Sequence, residues 1–555
     1  IIKEECDNKN KEKLKKDLIS YLIIFCLSLV YFIRILPSDV LFDGHDLLFH
    51  SSNIITIASE LTIKNLLPNR ILPDLVNNLG YGVNMFYPNL PHVIGAYFYK
   101  IINNIPLTFK LLYLILINLS GITMYKLIDK IFKNKQQALM SAITYISMPY
   151  FFSDFFIRCA FNESFLFFIM PLILLGIHYL IDDNNKFMFY LLFVLGYVLA
   201  INSHLVMSVY LTIILVIYLL VQRKKVFKKE VIKNFVIASI FILLLTSHFT
   251  IPLLEHNHLG IYNILNIDYN GPHRVQVANS FNYLLPIKHL DIPMYIQPLM
   301  SFVLLYIFIN ISKIDKKHKS TIIGMYIILI ISLFLATNQT IWQFMPNIIK
   351  NIQFAWRMSL FIVLSVSILF GCIINLLKEE NRKTCLMIFI IVFAVTNFIS
   401  SQLIKKFIPG PPEILDKTEE HQWGQEYLPI ESVYNLPEIK AKKLSLSNYE
   451  MDATIKITKN DVPNMEFVVK NLDEELTLEF PRIYYLGYKL TDNTGKNYEL
   501  TRNSSGFLSA TINKSGTYKL EHTGTILSKT ADLVTIISYI LFLSYLVYLK
   551  YNKKR

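Results

Sequence analysis

The feature that most constrains this chain is the recurrence of apolar runs about as long as a helix needs to cross roughly 30 Å of hydrocarbon. They lie near residues 18–36, 106–128, 136–153, 164–181, 186–201, 204–222, 231–252, 295–312, 320–337, 358–377, 384–403 and 531–549, which makes twelve. Inside a bilayer every backbone N–H and C=O must be paired within its own segment, so such runs fold as helices. The composition, 53% hydrophobic and 14% aromatic over 555 residues, is too apolar for soluble domains. The expected fold class is an α-helical polytopic membrane protein.

The formal charge is +13. Its Lys and Arg are gathered into "KEKLKK", "KIFKNK", "QRKKVFKKE", "KIDKKHK", "KEENRK" and "NKKR", each between apolar runs. Cytoplasmic loops facing anionic lipid have this pattern, so the basicity reads as topology and no nucleic-acid partner is expected. A thirteenth candidate, His92 to Asn103, would throw the basic clusters onto opposite sides if it crossed. It is short and flanked by Pro88, Pro91 and Pro106, so it is expected to be a re-entrant or juxtamembrane helix.

With that segment excluded, both termini are cytoplasmic in a plasma membrane protein. Residues 38–105, 151–164, 253–294, 338–357 and 404–530 then face outward. The expected organisation is a cytoplasmic tail 1–17, a transmembrane domain 18–403 with a large first outer loop 38–105, an extracytoplasmic β-rich domain 404–530, and a last helix with a basic tail 531–555. The tail is too acidic for a leader peptide, and the first run is expected to be a retained anchor. Five Cys are scattered without metal-ligand spacing.

After "PGPPE" the period changes. "ATIKIT", "MEFVVK", "LTLEF" and "GTYKLEH" alternate every two residues, with turn signals at "DNTGK", "NSSG" and "NKSG". A small β-sandwich of about a hundred residues is expected there, tethered by helices at both ends.

The densest chemistry follows the first run. "FDGHDLLFH", Phe42 to His50, holds two carboxylates and two imidazoles. Gly44 breaks the chain, and the following "HDLLFHSSNIITIASEL" has helical periodicity, so it reads as an amphipathic helix lying on the outer surface. If that helix begins early, Asp43, Asp46 and His50 share one face. The simpler account is that the two Asp supply charge at a helix N-terminus, but this leaves His45 and His50 unexplained. Further on, "LLPNRILPDLVNNLGYGVNMFYPNLPH" contains Arg70, Asp74 and Gly80 in a run with little helix-forming character, which is expected to be an ordered loop.

"DGHDLLFHSSNI", "LPNRILPDLVNNLGYGVNMFYPNLPH", "MPYFFSDFFIRCAFNESFLFFIMPLILL", "INSHLVMSVY", "FTIPLLEHNHL", "IQFAWRMSLF", "EYLP" and "LEFPRIYYLGYKLTDNTGK" occur in this order over most of the chain. They resemble a family of bacterial multispanning proteins described as 6-pyruvoyl-tetrahydropterin synthase related. More distantly they are similar to the YfhO-type membrane glycosyltransferases. Nothing in the sequence resembles a soluble pterin site. The resemblance implies the GT-C architecture, with a first span, a long outer loop carrying an acidic residue near its start, juxtamembrane helices and a bundle of spans. It implies an enzyme of the hexosyltransferase class, using a polyprenyl-phosphate sugar donor and acting on a cell-surface glycan or lipid acceptor at the outer face. The matching acidic residue is Asp46, with His50; many GT-C enzymes have paired acidic residues where this chain has Asp followed by His.

Transfer from a lipid-linked phosphate needs a base for the acceptor hydroxyl, and Asp46 is the candidate, with Asp43 and His50 as catalytic neighbours. A single activating carboxylate leads by analogy to inversion. The leaving phosphate needs cations in a low-dielectric site. Arg357, Arg70 and Arg158 all fall on the outer side, and Arg357 in "QFAWR" stands out because it opens a span where the positive-inside rule disfavours it. Pairing of Arg158 with Asp154 or Glu163 is an equally good reading. His204, His248 and Glu255 lie at outer span ends, and the resemblance carries His204 and Glu255 as substrate-binding candidates. Asp43, Asp46, His45 and His50 are too weak a set to assign a divalent metal. Two rival readings remain. One is a flippase or transporter of a lipid-linked glycan, disfavoured because mid-span positions are nearly all apolar. The other is a non-catalytic cell-envelope assembly protein.

Overall fold

The computed structural model describes the chain except residues 1, 64, 74, 77, 266–274, 286–291, 351, 409, 411–412, 416–424, 435–453 and 553–555, and gives the backbone alone at residues 2–13, 265 and 347–348. Asp74 and much of the expected outer segments 253–294 and 404–530 lie outside the described residues.

Each of the twelve apolar runs contains a helix. Among the described residues, seven helices are long and apolar enough to cross a membrane: Ile105–Phe132, Phe161–Asp183, Lys186–Ser203, Lys316–Thr337, Ala355–Leu376, Glu379–Ser401 and Ile526–Asn552. An eighth arises if Lys229–Leu245 and Ser247–His258, bent by 68°, form one broken span. The remainder differ from the expectation for local reasons. Leu205–Val221 and Pro298–Ile309 are 17 and 12 residues long. Lys135–Ile146 stops before Pro149, which opens a separate helix, Pro149–Phe156. Helix α1, Ile2–Val30, is charged over its first half.

Between α1 and the bundle lies the first loop. Strand β1, Leu41–Asp43, pairs antiparallel with β2, Lys405–Phe407, so that Asp43 stands opposite Lys405. Helix α2 runs Leu47–Glu60 and packs against helix α3, Leu90–Ile102, where an added Cβ at Gly95 would come within 2.6 Å of Ile54. α3 spans thirteen residues and is not among the candidate spans. It ends at Asn103 and leads directly into helix α4, Ile105–Phe132.

The placement of α2 corrects the expectation of a surface helix. Leu47, His50, Ser51, Ser52, Asn53, Ile54, Thr56, Ile57 and Ala58 are all buried. Ser51, Ser52 and Asn53 lie inside the protein with donors bonded to their own helix, Ser51 Oγ to the Leu47 carbonyl at 2.7 Å, Ser52 Oγ to the Phe49 carbonyl at 3.0 Å and Asn53 Nδ2 to the same carbonyl at 2.7 Å, while Asn53 Oδ1 and Thr56 Oγ1 have no hydrogen-bond partner among the described residues. In the loop that follows, Leu72 and Tyr81 exchange backbone hydrogen bonds of 2.8 Å.

The C-terminal strands form two antiparallel sheets. One has the order β3 (Thr454–Lys459), β4 (Met465–Lys470), β10 (Gly516–His522), β6 (Tyr488–Asp492), β7 (Asn497–Tyr498). The other has the order β5 (Leu476–Ile483), β9 (Phe507–Ile512), β8 (Thr501–Arg502). Inward residues of both, including Phe467, Leu478, Phe480, Leu508 and Tyr518, share one hydrophobic cluster. A second cluster joins this region to the first loop through Tyr81, Met85, Phe86, Tyr262, Tyr427, Ile483 and Tyr485. There the Tyr485 hydroxyl donates to the Tyr427 carbonyl at 3.0 Å.

Candidate active site

The site begins at the elbow between β1 and α2. Backbone N–H groups of His45 and Asp46 donate to the carbonyls of Ile157 and Arg158 at 3.1 and 2.8 Å. Gly44 is required by this approach, because a Cβ there would fall on Cys159 Sγ and lie 2.8 Å from the Ile157 carbonyl oxygen. The facing turn is itself bent through Cys159, whose φ of 55° is left-handed. Two distant segments are therefore locked backbone to backbone, and Asp46 stands at their junction.

Asp46 occupies the N-cap position of α2, yet its carboxylate makes no capping hydrogen bond. It is half-buried and has no hydrogen-bond partner among the described residues. Burial raises its pKa above the usual carboxylate value, while the positive charges of Arg158, Arg357 and His45 oppose that rise. The dipole account of this residue thus leaves its side chain unspent.

Asp43 does not share a helix face with Asp46. It lies in β1 with its side chain exposed, because α2 starts only at Leu47. His50 is on α2 and buried, but its Nδ1 is 2.8 Å from Nε2 of His92 on α3. Burial and their mutual charge repulsion push His50 well below the ordinary imidazole value, and burial pushes His92 to about 3. Both are neutral at pH 7, one donating and one accepting.

Behind Asp46 lies a buried charge cluster. Arg158 donates through Nη1 to Asp154 and to the Tyr150 hydroxyl at 3.1 Å, and through Nη2 to Glu163 Oε2 at 3.0 Å. Its guanidinium sits 4.8 Å from the centre of the Trp356 ring. Both pairings foreseen for Arg158 therefore form at once. Arg357 Nε lies 3.3 Å from the same Glu163 Oε2, while Nη1 donates to the Ile352 carbonyl at 2.9 Å and to Gln353 Oε1 at 3.2 Å. The turn carrying Arg357 is fixed by Gln276, which exchanges backbone hydrogen bonds with Gln353 and Ala355 at 2.8 and 2.7 Å. His204 Nε2 is 3.9 Å from Glu163 Oε2, and the Tyr150 hydroxyl donates to Glu163 Oε1 at 3.3 Å.

Arg70 and Glu255 are placed elsewhere. Arg70 Nη2 pairs with Asp532 Oδ1 at 2.6 Å on the last helix, and Glu255 Oε2 accepts from Thr525 Oγ1 at 2.7 Å. Both fasten the C-terminal helix region to the rest of the molecule. His248 is drawn to the same helix, its backbone N–H donating to Thr535 Oγ1 at 3.0 Å. His92, Tyr150, Trp356 and the anchoring role of Glu163 carry no spacing signal, since each depends on contacts between separate segments. Among the described residues no group of three or more His, Cys, Asp or Glu could hold a metal ion. His50 is turned to His92 and Asp43 is exposed on β1, so no metal step is derived from these residues.

The model of the family described as 6-pyruvoyl-tetrahydropterin synthase related domain, membrane protein, matches residues 84–404, more than half of the chain. The chain belongs to this family. Within the matched residues lie His92, Arg158, Glu163, His204 and Arg357; Asp46 precedes them. An uncharacterized protein of Lactococcus lactis subsp. cremoris (strain MG1363) is 25% identical over 299 residues, which are 50% of this chain and 47% of that protein. The chain thus spans about half the length of this relative. Among solved structures, the arabinofuranosyltransferase AftD from Mycobacteria is similar with a TM-score of 0.44 and 14% identity, over 73% of this chain and 28% of that one. The archaeal oligosaccharyltransferase AglB from Archaeoglobus fulgidus is similar with a TM-score of 0.34 and 13% identity, over 71% of this chain and 56% of that one. At these scores neither bears on what this family member does.

Proposed function

We propose that this protein is a GT-C-type membrane glycosyltransferase that moves a sugar from a polyprenyl-phosphate donor to a cell-surface polymer or lipid. The observation that carries the reading is the half-buried Asp46 carboxylate, unspent on any donor among the described residues and within the field of two guanidiniums, the buried Arg158 and the half-buried Arg357. That is the pairing the reaction needs. Asp46 takes the proton of the acceptor hydroxyl as its oxygen bonds to the anomeric carbon. The bond from that carbon to the donor phosphate breaks, and the phosphate leaves with the electron pair. Arg357 has its Nη2 without a hydrogen-bond partner among the described residues, and it meets the developing charge. Arg158, with both terminal nitrogens engaged, holds the site's geometry. Attack by one activated hydroxyl gives inversion.

The accompanying topology has twelve crossings of the plasma membrane, eleven within residues 18–403 and the twelfth at 531–549, with the loop 38–105 and a β-sandwich within 404–530 outside and both termini in the cytoplasm. The test is mass spectrometry of surface glycans and lipid-linked sugars from cells with and without the protein. The expected result is loss of one sugar from the surface polymer or lipid with a rise in its polyprenyl-linked form. Unchanged surface glycan with a redistributed lipid-linked precursor would favour a flippase instead.

A further inference from the structure

Glu163 is the node of the buried cluster. One of its carboxylate oxygens lies 3.0 Å from Arg158 Nη2, 3.3 Å from Arg357 Nε and 3.9 Å from His204 Nε2, and the other accepts from Tyr150. Its side chain is 1% exposed, that of Arg158 3% and that of Arg357 11%. Arg158 has a second carboxylate in Asp154; for Arg357, Glu163 is the one anionic partner among the described residues. A buried guanidinium left without an anion pays heavily in desolvation, so an empty site needs this carboxylate.

We propose that Glu163 is a positioning residue that serves as a resident counter-anion for Arg357, displaced from it when the phosphate of the lipid donor or product arrives. This rests on the glycosyl-transfer reading of the site. No covalent step is involved, only an exchange of ion pairs: Arg357 moves from the carboxylate to phosphate oxygens, while Arg158 keeps Glu163 in place through its own hydrogen bond. The geometry allows it, since Arg357 meets Glu163 only through a 3.3 Å ion-pair contact of Nε that is not a hydrogen bond, and its Nη2 is unused. A carboxylate so close to the phosphate also limits how tightly that phosphate is held, and so favours release of the product lipid.

The test is binding of a polyprenyl phosphate to the purified full chain in detergent, together with donor KM and kcat. Glu163→Gln keeps the acceptor oxygen but removes the charge. Its expected effect is polyprenyl phosphate binding tighter by on the order of tenfold, with donor KM and kcat both lowered because release slows. Glu163→Asp, which keeps the charge, is expected to bind as the wild type does. A residue that merely braced the fold would weaken binding in both variants. Unchanged or weaker binding by Glu163→Gln overturns the proposal, as does tighter binding by Glu163→Asp. Should Glu163→Gln fail to insert, the wild type decides. With polyprenyl phosphate bound, Arg357 Nε is expected beyond about 4 Å from Glu163 Oε2, and an unbroken contact overturns the proposal. Failure of the glycosyl-transfer reading is distinguishable, because there the wild type would transfer no sugar from the donor, whereas the binding comparison between wild type and Glu163→Gln would still decide the role of Glu163.

Discussion

Asp46 is costly to keep ionised where it stands, and that cost has consequences for both stability and rate. Its pKa in the folded chain is raised above the ordinary 3.8. Between those two values the folded state holds a proton that the unfolded state has lost, so the associated stability is present below 3.8 and disappears as pH rises through the raised value. Asparagine does not ionise, so Asp46→Asn should melt at the same or a higher temperature than wild type at pH 7; a clear drop in Tm would contradict this. The proposed transfer uses the ionised carboxylate. The acid limb of kcat/KM should therefore lie above pH 3.8, the rate falling about tenfold per pH unit below it. A limb at or below that value would remove Asp46 as base. At this scale the sequence was informative where a charge defied its surroundings. Asp46 beside Gly44 and Arg357 at a span's outer end are both conspicuous, and the structure brings them into one electrostatic neighbourhood. Arg70 was equally conspicuous and is used differently, because its partner Asp532 lies 462 residues away and no local pattern encodes that contact. Glu163 was visible only as a neighbour of Arg158, since its contacts with Arg357 and His204 come from separate helices.

The element that sets the site is the elbow from β1 into α2. Gly44 allows two backbone strands to touch, and its replacement has a definite expected cost. Gly44→Ala should destabilise by about 1–3 kcal/mol through the clash with Cys159 and the Ile157 carbonyl, and should lower activity by shifting Asp46. The measurement is thermal unfolding alongside glycan modification, and a variant indistinguishable from wild type in both would contradict the close approach. Helices were legible from apolar run length, and the strands from two-residue alternation: "MEFVVK" and "GTYKLEH" coincide with β4 and β10. The turn glycines Gly495 and Gly506 take the positive φ that "DNTGK" and "NSSG" imply. The surroundings of α2 were not legible. Ser51, Ser52 and Asn53 look like a solvent face in one dimension, but side chains that bond their own helix carbonyls can be covered by α3 at little cost. Counting crossings met a similar limit, since hydropathy marks apolar runs without marking where a helix breaks at Met148–Pro149 or bends by 68° near Thr246.

Across the whole molecule, the aromatic cluster of Phe86, Tyr262, Tyr427 and Tyr485 fixes the β-region onto the first loop, while the Arg70–Asp532 pair fixes that loop to the final helix. A site assembled from residues 46, 158, 163, 204 and 357 therefore depends on chain segments spread through the matched family region and beyond it. The proposed topology has this assembly at the outer surface. His45 is exposed and adjoins Asp46. A His45→Cys variant, with other accessible thiols removed, should react with a membrane-impermeant maleimide in intact cells; reaction only after permeabilisation would put the elbow in the cytoplasm. The most direct test is of the base itself. In cells lacking the natural protein, Asp46→Asn should insert normally, fail to restore the surface glycan and leave the polyprenyl-linked sugar at its elevated level. Restoration of the glycan to the wild-type level by that variant would contradict the assignment.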